Sequence, residues 1–524
     1  MAGKHALSAQ RWVLSRVGMA TEATAYDVIV IGGGVNGAGI ARDAAGRGFR
    51  VLLCDKGDLA GATSSVSSKL VHGGLRYLEQ YEFRLVREAL LERETLLRIA
   101  PHIVRPMRFV LPHNHLLRPV WMLRFGLFLY DHLASRAKLK GSNALDLRHD
   151  QTGAPLKSEL KRGFSYSDCW VDDARLVVLN ARDAADRGAD VMPRWACASA
   201  IPESDGWRVT LDGPDGARRE VSGRAVVNAA GPWVSDVLHK VIGRDGVEKL
   251  RLVQGSHIVV PRLYDGEHAY ILQNDDSRVV FVIPYESQFS LIGTTDLPYE
   301  GSLDDVHISG AEIDYLCAAV SRYFEMPVRP EHVVWSYSGV RPLFDDAAAN
   351  PSTVTRDYVL DLSGGQGDGP PLLSVFGGKI TTYRRLAEHA LEKLCPLLGG
   401  TVGEWTGHAA LPGGDFPGGN LAAFLSDFWA RHLWMPESLA TRYVHSYGTR
   451  AEILVGDARD EADLGLDFGG GLFEREVAYL ADHEWASEPE DILWRRTKLG
   501  LHLEPEAVTA TAAKLRDWFA HRAV

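Results

Sequence analysis

The chain has 524 residues, 46% of them hydrophobic and 24% charged, which is more than one hydrophobic core organises and predicts an ordinary globular protein of a few domains, not a disordered or disulfide-scaffold one. The formal net charge of -11 disfavours non-specific nucleic-acid binding, so an anionic ligand would need a local cluster of Arg and Lys working against the overall field. Cys54, Cys169, Cys197, Cys317 and Cys395 are widely separated with no C-x-x-C pair, which fits a reducing compartment.

Residues 1–25 carry Lys4, Arg11 and Arg16 with no acid before Glu22. Arg16 interrupts the only candidate apolar core, so a secretory signal is not expected and the segment reads as a flexible extension. From Tyr26 to Cys54 the pattern is strand, helix, strand: an apolar run to Ile31, a glycine cluster, an Ala-rich helix to about Arg47, then Val51 to Cys54. Between the first strand and the helix, Gly32, Gly34 and Gly37 form a G-x-G-x-x-G fingerprint with Asn36 inside it. Its glycines allow a tight turn and a close backbone approach to a pyrophosphate, whose charge meets the helix N-terminus. Asp55 closes the second strand 18 residues after Gly37, where a carboxylate can accept hydrogen bonds from an adenosine ribose; an acid there disfavours a 2′-phosphate.

Further along, Phe83, Val86, Leu90 and Leu97 fall at helical spacing between charges, which predicts an amphipathic helix over 82–100. In 117–133, Arg118 and Arg124 mix with Trp121, Phe125, Phe128 and Tyr130. That mixture suits a membrane-interface segment and equally an amphipathic core helix. No run is long and apolar enough to span a bilayer, since the most apolar one, Trp121 to Tyr130, is broken by Arg124. From 195 to 300, short β-rich runs such as Arg278 to Ile283 and Phe289 to Gly293 predict a mostly antiparallel sheet. Pro412 to Asn420 (PGGDFPGGN) reads as a linker. Beyond it, Ser487 and Glu490 have capping-box spacing ahead of Ile492 to Leu501, and Ala507 to His521 reads as the final helix.

The fingerprint alone does not separate FAD from NAD. Ala225 to Gly231 (AVVNAAG) is an apolar strand ending in small residues, the form a second strand takes beside a dinucleotide. Ser374 to Lys379 (SVFGGK) then leads into a helix starting near Thr381. A helix N-terminus aimed at a flavin pyrimidine would stabilise the negative charge that reduction places there. A chain that returns to its cofactor so far downstream suits a two-part FAD site.

The run Ala62 to Tyr77 (ATSSVSSKLVHGGLRY) resembles the signature of FAD-dependent glycerol-3-phosphate dehydrogenases. The resemblance continues through Tyr166 to Leu176, Gly255 to Pro261, Ile292 to Asp296, Tyr337 to Leu343, Thr355 to Tyr358 and the Gly377-Gly378-Lys379 loop, and covers essentially residues 26–510. It implies an α/β and α+β fold: a Rossmann-like FAD-binding domain like that of glycine and D-amino-acid oxidases (26–105, 160–235 and 355–395), a substrate-binding cap with a largely antiparallel sheet (106–159 and 236–354), and a C-terminal helical domain (396–524). It implies oxidation of sn-glycerol 3-phosphate to dihydroxyacetone phosphate by hydride transfer from C2 to flavin N5. Electrons then pass to a membrane quinone, in a homodimer held peripherally on the cytoplasmic face of a bacterial inner membrane. The chain has no D-x-[DN]-x-[DN]-G loop and no other metal site is expected, which resembles the shorter bacterial, aerobic form more than the mitochondrial one.

Carried over residue by residue, the resemblance implies cofactor contacts at Gly32, Gly34, Asn36, Gly37, Asp55, Thr63, Ser64, Ser65, Lys69, Leu70, His72, Gly73, Gly74, Ala230, Gly231, Gly377, Gly378, Lys379, Thr381 and Thr382. It implies substrate contacts at Arg76, Tyr77, Arg341, Arg356 and Lys379, with Arg341 near the reacting hydroxyl and His257 a candidate proton acceptor. Arg offers paired donors to phosphate oxygens and Lys a point charge, so a phosphate clamp is the natural use of these cations. Two alternatives stay open. One is an oxidase handing electrons to O₂, although the inserted segment typical of such enzymes is absent. The other is a non-catalytic FAD-binding regulator, against which stands the retention of all four cations.

Overall fold

A computed structural model describes residues 25–113, 119–244, 250–276, 278–344, 357–365, 367–401 and 403–522. Arg356, Arg118 and the expected N-terminal extension lie outside the described residues, and of Arg76 only the backbone is described.

The first sheet has eight strands. Leu372–Phe376, Arg218–Asn228, Ala25–Ile31, Val51–Asp55 and Asp190–Pro193 run parallel in that order, with Val359–Ser363 antiparallel on one edge. Parallel strands are covered on both faces, so they read as continuous apolar runs, as VIVI in Val28 to Ile31 does. Helix Val35–Gly46 packs between helices Asp173–Asp186 and Tyr383–Leu398. Together they bury one face of the sheet, while Trp207, Val209 and Leu238 pack on the other. The fingerprint strand, helix and second strand thus form where the sequence places them.

A second sheet of ten strands is antiparallel except where Ala269–Gln273 runs alongside Val104–His113. Its longest pairings are Val104–His113 with Arg162–Val171 and Leu250–Pro261 with Trp335–Phe344. The expected strand Phe289–Gly293 is found, and the expected Arg278 to Ile283 run forms strand Val279–Tyr285. Leu70–Val71 and Arg162–Val171, expected with the dinucleotide domain, belong to this second sheet instead. Alternation marks a strand but not its partners, and here ten consecutive register pairs with Val104–His113 decide membership. The predicted helices over 82–100 and 117–133 appear as Phe83–Ile99 and Val120–His132.

C-terminal helices Leu421–Arg431, Glu437–Tyr447, Glu474–Glu484 and Pro505–Arg522 enclose a core of Phe428, Tyr443, Val477, Leu480 and Leu515. The Gly/Pro stretch from Pro412 is not a loose linker. Leu411 N donates to the Ile99 carbonyl at 2.8 Å and Thr449 N to the Gly413 carbonyl at 3.1 Å, so it is pinned on both sides. The capping box expected at Ser487 and Glu490 is also replaced: the Asp491 carboxylate accepts from Ser487 N at 2.9 Å and Glu488 N at 3.0 Å, and a wide turn, Asp491–Arg496, follows. The Asp491 carboxylate thus takes the Ser487 N–H that the Glu490 side chain would hold in a capping box, and the Glu488 N–H as well.

Candidate active site

A cavity of about 2180 Å³ lies between the two sheets. Sites for one small ligand run to roughly 1,000 Å³, so this one has room for a dinucleotide and a second ligand.

The fingerprint floors one end. Gly32 has φ +113, and a Cβ there would stand 2.5 Å from the Ala229 carbonyl oxygen, so the turn admits only glycine. Gly32, Gly34, Asn36 and Asp55 line the cavity, while Gly37 lies within the helix behind them. Asp55 is already engaged: its Oδ2 accepts from Gly33 N at 2.6 Å and its Oδ1 from Gly57 N at 2.7 Å. Burial pushes its pKa up, and these two N–H groups pull it back. A ribose hydroxyl would use the lone pairs that remain.

Thr63, Ser64, Leu70, His72 and Gly74 line the wall. Ser64 Oγ accepts from Val35 N at 3.0 Å, and the Thr63 hydroxyl donates to the Val340 carbonyl at 2.8 Å, tying the two sheets together. Ser65, Lys69, Gly73 and Thr382 do not line it. Lys69 is fully buried, its ammonium 2.7 Å from Asp173 and 3.0 Å from the Ser65 carbonyl. A buried ammonium needs a carboxylate partner, so the Lys69 side chain supports the serine-rich loop from behind the cavity wall. Gly73 N is held by the Tyr130 hydroxyl at 2.8 Å.

From the far end of the chain, Ala230, Gly231, Gly377, Gly378, Lys379 and Thr381 return to the same wall. Asn36 Nδ2 donates to the Gly377 carbonyl at 3.1 Å, and Gly377 and Gly378 both have positive φ, +74 and +98. The next helix begins at Tyr383, two residues later than expected.

The cations gather here in part. Lys379 Nζ lies 4.2 Å from the centre of the Tyr77 ring. Arg341 lines the cavity, ion-paired with Asp296 and donating to Thr294 Oγ1 at 3.0 Å. His257 does not reach the cavity. It is 1% exposed and stacked on Tyr337 at 4.8 Å, and its Nε2 lies 2.9 Å from Ser68 Oγ, which does line the wall. Burial, then Arg341 and Lys69, hold its pKa well below the usual histidine value. Ser68, Asp296 and Thr294 sit inside motifs legible in the sequence, but nothing local marks which serine faces the cavity or which acid pairs with Arg341.

The residues present fit FAD. The glycine turns and the start of helix Val35–Gly46 line the cavity, and Asn36 Oδ1 is buried without a hydrogen-bond partner among the described residues. Both are what a dinucleotide site supplies and an ordinary core does not. Among the described residues no group of three or more His, Cys, Asp and Glu is placed to hold a metal, and no helix is long and apolar enough to cross a membrane.

Residues 27–384 match the family described as FAD dependent oxidoreductase, and 405–522 match the C-terminal domain of alpha-glycerophosphate oxidase. D-erythritol 1-phosphate dehydrogenase of Brucella abortus is 53% identical over 94% of this chain and 97% of its own. Aerobic glycerol-3-phosphate dehydrogenase of Escherichia coli is 50% identical over 95% of this chain and 98% of its own. The solved glycerol-3-phosphate dehydrogenase from Bacillus halodurans, complexed with FAD, superposes with a TM-score of 0.74 at 26% identity, covering 94% of this chain and 91% of that one. With its two-part cradle and these relatives, the chain belongs to the FAD-dependent oxidoreductases, within the glycerol-3-phosphate dehydrogenase family.

Proposed function

We propose that this protein oxidises sn-glycerol 3-phosphate to dihydroxyacetone phosphate and passes the electrons to a membrane quinone. The observation that carries the substrate class is the presence of Arg341 and Lys379 on the wall of the FAD cavity in a chain of net charge -11. A phosphate dianion is the natural partner for cations concentrated against the overall field. Arg76 and Arg356 complete the clamp in this reading.

Bound FAD supplies the acceptor for the hydride leaving C2. The chain's own part is to orient the alcohol and take its proton. Ser68 is the wall residue placed for that. Its hydroxyl passes a proton to His257 Nε2 as its oxygen takes the one from the substrate hydroxyl. Burial keeps the His257 imidazole neutral at rest and, with Arg341 and Lys69, opposes its protonation, an opposition that a bound dianion partly offsets. His257 therefore acts through Ser68, and Lys379 and Arg341 hold the phosphate and the reacting hydroxyl.

Membrane association belongs to the same proposal. On helix Val120–His132, Leu127 and Tyr130 face the core, while Trp121, Phe125 and Phe128 are 67%, 57% and 55% exposed. Trp121 and Phe125 also line the cavity mouth. An aromatic face with Arg124 beside it suits the interface of a bilayer that carries the quinone, and on this reading the protein sits on the cytoplasmic face of a bacterial inner membrane.

D-erythritol 1-phosphate is the second substrate to compare, because the Brucella relative named for it is as similar as those named for glycerol 3-phosphate. Purified, FAD-loaded protein is mixed anaerobically with each phosphate in turn. Flavin bleaching is expected with glycerol 3-phosphate and sharply reduced in Arg341→Ala and Lys379→Ala. Normal bleaching in both variants removes this site assignment, and bleaching by the erythritol phosphate alone moves the substrate to the longer polyol. Reoxidation by a quinone with little peroxide separates the dehydrogenase from an oxidase.

A further inference from the structure

The C-terminal domain meets the FAD half of the molecule through segment 484–502, which buries a cluster of charge that the proposed chemistry does not use. Asp58, in the loop after the fingerprint acid Asp55, is 4% exposed. Its Oδ2 accepts from Arg495 Nε at 2.6 Å and Arg496 Nη1 at 2.7 Å, and its Oδ1 from Arg496 Nη2 at 2.8 Å. Arg194, just beyond strand Asp190–Pro193, donates its backbone N–H to the Gly57 carbonyl at 2.8 Å. Its Nη2 reaches both oxygens of Asp491, at 2.8 and 2.9 Å. Arg495 also binds Asp491, and Arg175 of helix Asp173–Asp186 binds Glu484.

This arrangement bears on the cofactor because of where the loop sits. Strands Val51–Asp55 and Asp190–Pro193 are parallel neighbours, and the edge formed by their C-terminal ends is where the adenosine half of a dinucleotide lies. On one side the loop closes onto the fingerprint, Ala60 N donating to the Gly33 carbonyl at 3.0 Å and Gly33 N to Asp55 at 2.6 Å. On the other its buried part is held through Asp58 and Gly57, by Arg495, Arg496 and Arg194, while the exposed Lys56 pairs with Asp304 at 2.6 Å. Glu488 and Arg495 themselves line the cavity. The segment reaches the second sheet as well, where Trp494 stacks on Trp335 with ring centres 5.2 Å apart.

Buried ion pairs are a poor source of stability, because desolvation offsets most of the attraction, but they enforce one geometry. We propose that segment 484–502 is a retention device for FAD: through Asp58 and Arg194 it clamps the loop 55–61 against the fingerprint, so that cofactor affinity is set from the C-terminal domain. The inference rests on the family assignment and is independent of which phosphate is the substrate.

The test is titration of apoprotein with FAD, together with the rate of flavin release from the holoprotein, in Asp58→Asn and Arg496→Met. Removing one partner leaves its mates charged and buried, so the FAD dissociation constant is expected to rise about tenfold or more. The substrate KM at saturating FAD should stay within about twofold, a change of under half a kcal/mol. Val477→Ala, in the C-terminal core away from the loop, is the control for general destabilisation. It should lower Tm and leave FAD affinity unchanged. Unchanged FAD affinity in folded Asp58→Asn overturns the proposal, as does an equal loss of affinity in Val477→Ala at matched Tm. Should the two buried variants not fold, Arg194→Met decides: it removes the guanidinium that binds both oxygens of Asp491, and wild-type flavin release from it also overturns the proposal.

Discussion

Asn36 Nδ2 donates to the Gly377 carbonyl at 3.1 Å, joining groups separated by 341 residues of sequence. This bond links the fingerprint helix to the loop that returns from the far end of the chain, on top of the shared sheet and the packing of helix Val35–Gly46 on Tyr383–Leu398.

That link makes Gly378→Ala a severe change. A Cβ there would stand 2.7 Å from Asn36 Nδ2, at a φ of +98 that L side chains rarely adopt. The variant is expected to lose about 1–3 kcal/mol of stability and to release FAD faster than wild type. Asn36→Ala, which only loses the bond, should cost about 1 kcal/mol. Urea unfolding with flavin fluorescence gives both numbers, and the reverse order of severity would show that the loop is not packed as described.

Ser68→Ala should lower kcat by roughly 10²–10⁴ if the hydroxyl relays the proton, with substrate KM little changed and Ser68→Thr restoring part of the loss. Since the folded pKa of His257 lies well below 6.5, the imidazole stays neutral through pH 6.5 and charges only at lower pH. The acid limb of kcat/KM should therefore be absent near pH 6.5. A His257→Asn enzyme with a wild-type rate and pH profile removes the histidine from the proton path.

Phe125→Asp with Phe128→Asp should abolish flotation with anionic liposomes and leave soluble-dye reduction intact, because both side chains are more than half exposed and the helix is anchored by Leu127 and Tyr130. Circular dichroism checks that the helix persists. Undiminished flotation places the membrane contact elsewhere.

His102 is buried against Phe416 with neither ring nitrogen hydrogen-bonded among the described residues, and burial lowers its pKa to about 3. Below pH 6.5 the unfolded chain binds a proton that the folded one refuses. Stability from this site is complete above 6.5 and falls by about 1.4 kcal/mol per pH unit until the folded pKa is reached. His102→Phe, of similar shape, should remove that much of the slope between pH 6 and 4 in unfolding experiments. An unchanged slope would mean the ring is protonated or solvated in the native state.

The elements nearest the cofactor were the most legible, because their signals are local. A strand, a glycine turn, a helix and a terminal acid lie within Tyr26 to Asp55, and each follows from a few residues of backbone chemistry. What misled were assignments that depend on partners. Leu70–Val71 and Arg162–Val171 look like any strand, and only hydrogen bonding to Val104–His113 puts them in the second sheet. The Gly/Pro stretch after Leu411 looks loose until Ile99 and Thr449 are seen to hold it.

By itself the sequence determined a dinucleotide site, since glycines at fixed spacing let the backbone approach a pyrophosphate and an acid at a strand end suits a ribose; the second glycine loop pointed to FAD, and the resemblance of Ala62 to Tyr77 and the motifs after it gave the family. Tertiary structure alone decided which residues face the cavity. Lys69 turns inward because its charge needs Asp173, and His257 stands behind Ser68 because its ring stacks on Tyr337. Asp58 meets Arg496 across 438 residues, a pairing that burial and charge make necessary and that no local pattern announces.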